Sequence, residues 1–385
     1  MRYGCGVVAP LLLLLPLGCA KQFPADYTAS KYTRGQLTGE VGEAGAAAFT
    51  PPAPIQAKVD QLLHEQFPPP WTWSDAQIAG DATKQSLRKG QQLYQKHCIH
   101  CHGLSGAGDG PTSASLVPKP RDFRRGIFKW KSTSSRAKPT REDLLRVLKE
   151  GANGTSMPPF ILMPADQLDA LADYVTYLSK RGELERELLL VYSQEGSTEE
   201  ELKKSGETLS DSDRDELIEV VTETAEEKNE TITEAWETAK DFVVEPEETD
   251  ISVSQADAFE SSVARGKELY LGANSGCTKC HGVDGRAQTK LSGADSLDIW
   301  GNENAPRNLT LGLFRGGRRP VDLYRRVHEG IAGSSMPSQG SNPKLTKKDI
   351  WDLVNFVRVL PDRPEMLQAP AQSLGGVASQ VAPGH

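Results

Sequence analysis

Apolar residues recur three and four positions apart in several stretches of the chain, a spacing that predicts helices with one buried face. Leu144, Leu145, Val147 and Leu148 form one such stripe, and Leu168, Leu171, Tyr174, Val175 and Leu178 form the next. A later stripe, Ile350, Leu353, Val354, Phe356, Val357 and Leu360, answers the second. Ile55, Val59, Leu62, Leu63 and Phe67 fall at helical spacing between two proline clusters, predicting a short amphipathic helix packed on the unit C-terminal to it. Leu217, Val221, Ala225, Ile232, Trp236, Ala239 and Val243 predict a longer helix over 213–243, with Ser212 and Asp213 as candidate N-caps. Strand-like alternation is sparse, so the predicted fold class is all-α.

The pattern is duplicated. Asp143 to Pro158 (DLLRVLKEGANGTSMP) matches Asp322 to Pro337 (DLYRRVHEGIAGSSMP), and Gly90 to Tyr94 (GQQLY) matches Gly266 to Tyr270 (GKELY). Between these landmarks each copy carries C-x-x-C-H: Cys98, Cys101 and His102 in the first, Cys277, Cys280 and His281 in the second. Met157 follows His102 by 55 residues, and Met336 follows His281 by the same 55. A single C-x-x-C-H is open to three readings: a zinc knuckle, a dithiol redox pair, or two thiols adding to one haem with an imidazole for its iron. Two copies with matched surroundings favour the haem.

In this order of Gly and aromatic, C-x-x-C-H, Met-Pro and final helix, each copy resembles the class I c-type cytochromes, over about 84–182 and 260–363. The resemblance implies two covalently bound haem c groups. It makes Cys98, Cys101, Cys277 and Cys280 the thioether attachments, His102 and His281 the proximal iron ligands, and Met157 and Met336 the distal ones. Met163 has no counterpart in the second copy and is read as core. His97, His100 and His328 are weighed as ligands and set aside. A proximal histidine is held through its second ring nitrogen by an acceptor. Pro120 and Pro306, each followed by Arg, are the candidate acceptors. Iron saturated by His and Met implies outer-sphere electron transfer. Dihaem peroxidases and thiosulfate-oxidising cytochromes also carry two such motifs, but they need an open or unusual site, which the paired Met loops disfavour.

Charge divides the chain further. Of 385 residues, 44 are Lys or Arg and 52 are Asp or Glu. Residues 183–250 hold 6 basic against 24 acidic side chains, while 84–182 hold 17 basic against 8 acidic. The net negative balance speaks against a nucleic-acid partner. A basic first unit beside an acidic segment is expected either to pair with it or to steer toward another redox protein. The predicted layout is a signal peptide at 1–18, a Pro/Ala/Gly-rich tether at 19–83, a cytochrome c domain at 84–182, an acidic helical linker at 183–259, a second cytochrome c domain at 260–363 and a disordered tail at 364–385. Leu11 to Leu15 followed by Leu17, Gly18 and Cys19 resembles a bacterial lipoprotein signal, implying lipidation of Cys19. Of six cysteines the motifs use four, and Cys5 and Cys19 lie in the first twenty residues, leaving no structural disulfide to propose. The expectation is an exported, lipid-anchored carrier on the periplasmic side of a bacterial membrane. Its partners would be other redox proteins, such as a terminal oxidase or a quinol-oxidising complex, with the chain as free carrier or as a haem subunit.

Overall fold

A computed structural model describes residues 27, 32, 37, 49–246, 256–288, 291 and 297–367. The expected signal peptide with Cys19 lies outside the described residues, as does 368–385. Eight longer helices carry the architecture: α1 (Ala53–Gln66), α2 (Ala82–His97), α3 (Arg141–Glu150), α4 (Ala165–Glu195), α5 (Asp211–Glu237), α6 (Ala256–Leu271), α7 (Pro320–Glu329) and α8 (Lys347–Val359). Among the described residues β-pairing is confined to isolated bridges. No helix among them is long and apolar enough to cross a membrane.

Two units repeat one design. In the first, α2 crosses α4 and α3 packs on α4; in the second, α6 crosses α8 and α7 packs on α8. Each crossing is close because a glycine sits in it. A Cβ on Gly90 would overlap the carbonyl oxygen of Ala170, and one on Gly266 that of Asp352. One turn later an aromatic pair closes the contact, Tyr94 on Tyr174 at 5.3 Å and Tyr270 on Phe356 at 5.5 Å between ring centroids. Capping boxes start α3 at Thr140 with Asp143 and α8 at Thr346 with Asp349, satisfying backbone N–H groups that a first helical turn leaves unpaired.

Three expected boundaries change. The helix expected to end the first unit near 182 runs on as α4 to Glu195, because Leu184, Leu188, Leu189 and Tyr192 continue its apolar stripe into buried positions. The described residues of the expected tether are packed on the first unit. Tyr27, Tyr32, Leu37 and Phe49 are buried with Ile55, Val59, Leu62 and Leu63 of α1 in the first core. The Tyr27 and Tyr174 hydroxyls bond at 3.0 Å, and the Tyr177 hydroxyl donates to the Phe67 carbonyl at 2.8 Å. Large aromatic side chains scattered among prolines and glycines bury enough surface to outweigh the extended bias of that composition. Within the stretch expected as a tail, Pro364–Leu367 instead forms a 3-10 turn with Leu367 buried.

The acidic segment is a structural layer on the first unit. Ser210 caps α5 by accepting from the Asp213 N–H at 3.1 Å, so the helix begins ahead of the expected Ser212 and Asp213 caps; it ends at Glu237, and a 3-10 turn covers Ala239–Phe242. Leu217, Val221, Ala225 and Ile232 lie buried against α4 and α1, and the acidic side chains occupy the opposite, solvated face. Trp236 donates its indole N–H to Glu183 at 2.8 Å and meets Phe128 edge-on. Beyond it the Val244 N–H donates to the Ser132 carbonyl at 2.9 Å, and Arg325 of α7 donates to the Val244 carbonyl at 2.9 Å. Val221 is 1% exposed, so Val221→Asp should bury an unpaired carboxylate and cost about 3–5 kcal/mol. Thermal unfolding checks this; an unchanged melting temperature would show that α5 is a loose appendage.

The two units touch directly. Lys129 pairs with Asp298 at 3.1 Å, Arg125 donates to the Ile299 carbonyl at 2.6 Å, Arg146 to the Gly316 carbonyl at 3.2 Å, and the Ser135 N–H to Glu329 at 2.8 Å. Part of the first unit's positive charge is therefore engaged by its sister unit, and less of it faces the acidic segment than composition suggests.

Candidate functional site

Helix α2 ends at His97, and the chain then makes one helical turn, Ile99–His102, closed by Gly103 at φ 73°. The second copy repeats this with Thr278–His281 and Gly282 at φ 76°. Tyr94 fixes the turn by donating its hydroxyl to the Gly103 carbonyl at 2.8 Å, and Tyr270 does the same for Gly282 at 2.7 Å. One turn of helix puts both cysteines of each motif on the side from which the following histidine projects.

Both histidines are oriented from behind. His102 donates Nδ1–H to the Arg121 carbonyl at 3.0 Å, and His281 to the Arg307 carbonyl at 2.9 Å. A carbonyl can only accept, so each Nδ1 carries the proton and each Nε2 keeps its lone pair for a metal. The expected acceptors, Pro120 and Pro306, are each one residue off, because the chain turns so that the carbonyl after the proline faces the ring. Burial lowers both imidazole pKa values, against the opposing effect of the backbone bond, and keeps the rings neutral. Phe123 stacks on the His102 ring at 4.5 Å, a packing partner that periodicity alone did not reveal.

The methionine loops are copies in detail. Gly151 (φ 70°) and Gly330 (φ 73°) end α3 and α7. The carbonyl of Met157 accepts from the Ala152 N–H at 3.2 Å, and that of Met336 from the Ile331 N–H at 3.2 Å. Thr155 Oγ1 accepts from the Met157 N–H at 3.2 Å, and Ser334 Oγ from the Met336 N–H at 3.3 Å. These bonds fix where each thioether starts.

All eight residues open on one cavity of about 660 Å³. Its walls come from both units: Cys98, Cys101, His102 and Met157 line one part, and Cys277, Cys280, His281 and Met336 the other. Apolar side chains fill the rest, among them Leu144, Leu148 and Phe160 in the first unit and Phe314, Leu323 and Leu353 in the second. Met163 and His328 are not in the lining, nor is His100; His97 is. His328 is engaged by Glu329 at 2.7 Å and stacks on Tyr324.

Donor chemistry separates the three readings of C-x-x-C-H. Burial pushes the Cys98 thiol up to about 12 and raises Cys277, the opposite of the lowered thiol that a dithiol redox pair requires. None of the four motif cysteines is in a disulfide. Among the described residues no three His, Cys, Asp or Glu side chains converge as metal ligands. A haem fits what is present: two thiols, a neutral imidazole, a thioether and an apolar cleft. Its carboxylates have complements as well, since Trp300 Nε1, Arg307 Nε and Arg315 Nε are buried without an acceptor in the cavity wall.

Comparison with known proteins places both units in one family. Residues 87–179 and 263–361 each match the cytochrome c family. A solved structure from Kuenenia stuttgartiensis, of a reducing HAO-like protein complex, is similar to 71% of this chain and 95% of its own, at 25% identity and a TM-score of 0.49. No curated protein matches.

Proposed function

Residues 87–179 and 263–361 are two cytochrome c domains, which implies haem-based electron transfer, and from that premise we propose that the protein is an exported dihaem carrier relaying single electrons between respiratory redox partners. The observation that carries this reading is the single cavity on which both Cys-Cys-His-Met sets open. Haem c, once attached, supplies a one-electron ferric/ferrous couple. The chain's own residues do the rest. Cys98, Cys101, Cys277 and Cys280 fix position through thioether bonds. His102 and His281 present neutral Nε2 atoms, held by the Arg121 and Arg307 carbonyls. Met157 and Met336, in the wall of the same cavity, would supply the second protein ligand to each iron, and a soft thioether in that role favours the reduced state. A haem held by a histidine and a methionine in each domain would leave oxygen or peroxide no easy entry, and outer-sphere electron transfer is the chemistry such a site would support.

The partners fitting this arrangement are other redox proteins, a terminal oxidase or a quinol-oxidising complex among them. Location follows from the N-terminal segment: export to the periplasmic side of a bacterial membrane, with lipid on Cys19 as anchor. A diacyl chain gives the two-signal attachment that stable membrane residence needs. One preparation tests both parts. Produced in a bacterium that matures c-type cytochromes, the chain should carry two haems by pyridine haemochrome and sediment with membranes, and Cys19→Ser should move it to the soluble periplasmic fraction. One haem per chain would defeat the relay; wild type in the soluble fraction would defeat the anchor alone.

A further inference from the structure

Arg121 and Arg307 stand in reciprocal positions. The Arg121 carbonyl orients His102 in the first domain, while its guanidinium lies 3.8 Å over the ring of Trp300 in the second. Trp300 in turn packs on Gly333, in the loop that carries Met336; a Cβ there would stand 2.6 Å from the indole. The Arg307 carbonyl orients His281 in the second domain, while its Nη2 reaches the first domain's Gly154, 3.3 Å from where a Cβ would stand, in the loop that carries Met157. Gly154 and Gly333 are the same position of the duplicated loop, with φ of 72° and 75°. Each arginine thus holds one domain's proximal histidine by its backbone and reaches the other domain's methionine loop, directly or through one ring.

Three donors around these contacts are chemically unfinished. The Nε of Arg307 and of Arg315 and the Nε1 of Trp300 are buried donors with no acceptor, all in the wall of the shared cavity. Cationic forks in a cavity wall, with buried donors left over, call for carboxylates, and a haem brings two.

We propose that Arg121 and Arg307 couple the two haem sites, their guanidinium groups taking haem carboxylates at the domain boundary while their carbonyls hold the proximal histidines. The proposal rests on the dihaem reading above. It makes the reduction potential of each site depend on a side chain rooted in the other domain. A buried cation near the haem favours the reduced state, because it repels the extra positive charge that ferric iron carries.

Spectroelectrochemical titration of the full chain with its haems attached tests this. Wild type should give two one-electron waves, and the wave displaced by Met157→Ala identifies the first domain. Arg307→Gln is expected to lower the reduction equilibrium constant of the first domain's site about tenfold, ~59 mV for a one-electron couple, as well as shifting its own. Arg121→Gln should do the converse, and the exposed Arg286→Gln should move neither. The double variant should depart from the sum of the singles, as coupled sites do. Arg307→Lys keeps the charge and should restore the first domain's wave to within about threefold of wild type. Waves that move only in the domain of the substituted residue, or an additive double variant, would overturn the coupling while leaving the dihaem reading intact. A wild-type chain with one haem by pyridine haemochrome would overturn both.

Discussion

Met157→Ala is expected to lower the reduction potential of the first domain's site by on the order of 100 mV, a modest part of the ~0.8 V that axial ligation spans, and to open that site to carbon monoxide. Met336→Ala should do the same in the second domain only. The size of the effect follows from how the loop is built. Thr155 and Ala152 hold the Met157 backbone by bonds internal to the loop, so alanine should leave the backbone in place and a gap where the thioether stood. Met163 does not line the cavity, and Met163→Ala should leave the spectrum unchanged. Carbon monoxide difference spectra against haem content give the measurement: binding at half of the haems in either single variant and all of them in the double. If Met163→Ala opened the site and Met157→Ala did not, the ligand assignment would fall.

Gly266→Val and Gly90→Val should each disrupt one domain without touching a haem ligand. The Cβ would collide with backbone, the Asp352 or Ala170 carbonyl, rather than with a side chain that can swing away. The helices must then separate. Overpacking in a tight core costs about 1–3 kcal/mol even where neighbours can adjust; with a backbone carbonyl in the way and a branched side chain added, about 4 kcal/mol or more is expected. Differential scanning calorimetry should show one transition lowered by at least ~10 °C, with the other domain's transition nearly in place. Equal lowering of both would mean that the domains unfold as one unit, and no lowering would mean that the helix crossing is looser than its geometry.

The repeat was legible because its signals are local. C-x-x-C-H, Ser-Met-Pro and Gly-x-x-x-Tyr each span a few residues, and their common offset places them on matching elements before any contact is known. Helix periodicity gives α3, α4 and α8 for the same reason. What stays hidden in the sequence depends on distant partners. Nothing near Tyr27 or Phe49 indicates that Tyr174 and Tyr192 will cover them, and a run of prolines and glycines dominates the local composition. The Pro-Arg pair points to the carbonyl one residue early, since a turn's direction is set by the packing of Phe123 and Leu309 and not by the pair itself. The arginines facing Trp300 belong to no periodic pattern; charge counts show an excess of basic residues but not that the second domain receives part of it.

Val244, pinned between the Ser132 carbonyl and Arg325, leaves only twelve residues of chain to Ala256, where the second domain's first helix begins. At about 3.3–3.6 Å per residue that chain reaches at most ~40 Å. A short leash of this kind keeps a binding partner at an effective concentration in the millimolar range. An interface of hydrogen bonds and one or two ion pairs with an intrinsic dissociation constant of ~0.1 mM would then be closed about nine-tenths of the time. The two domains therefore need no large apolar seam to stay together, and in the proposed relay the step between them would run at a rate set by driving force and distance, with the search for an encounter already removed by the length of the chain.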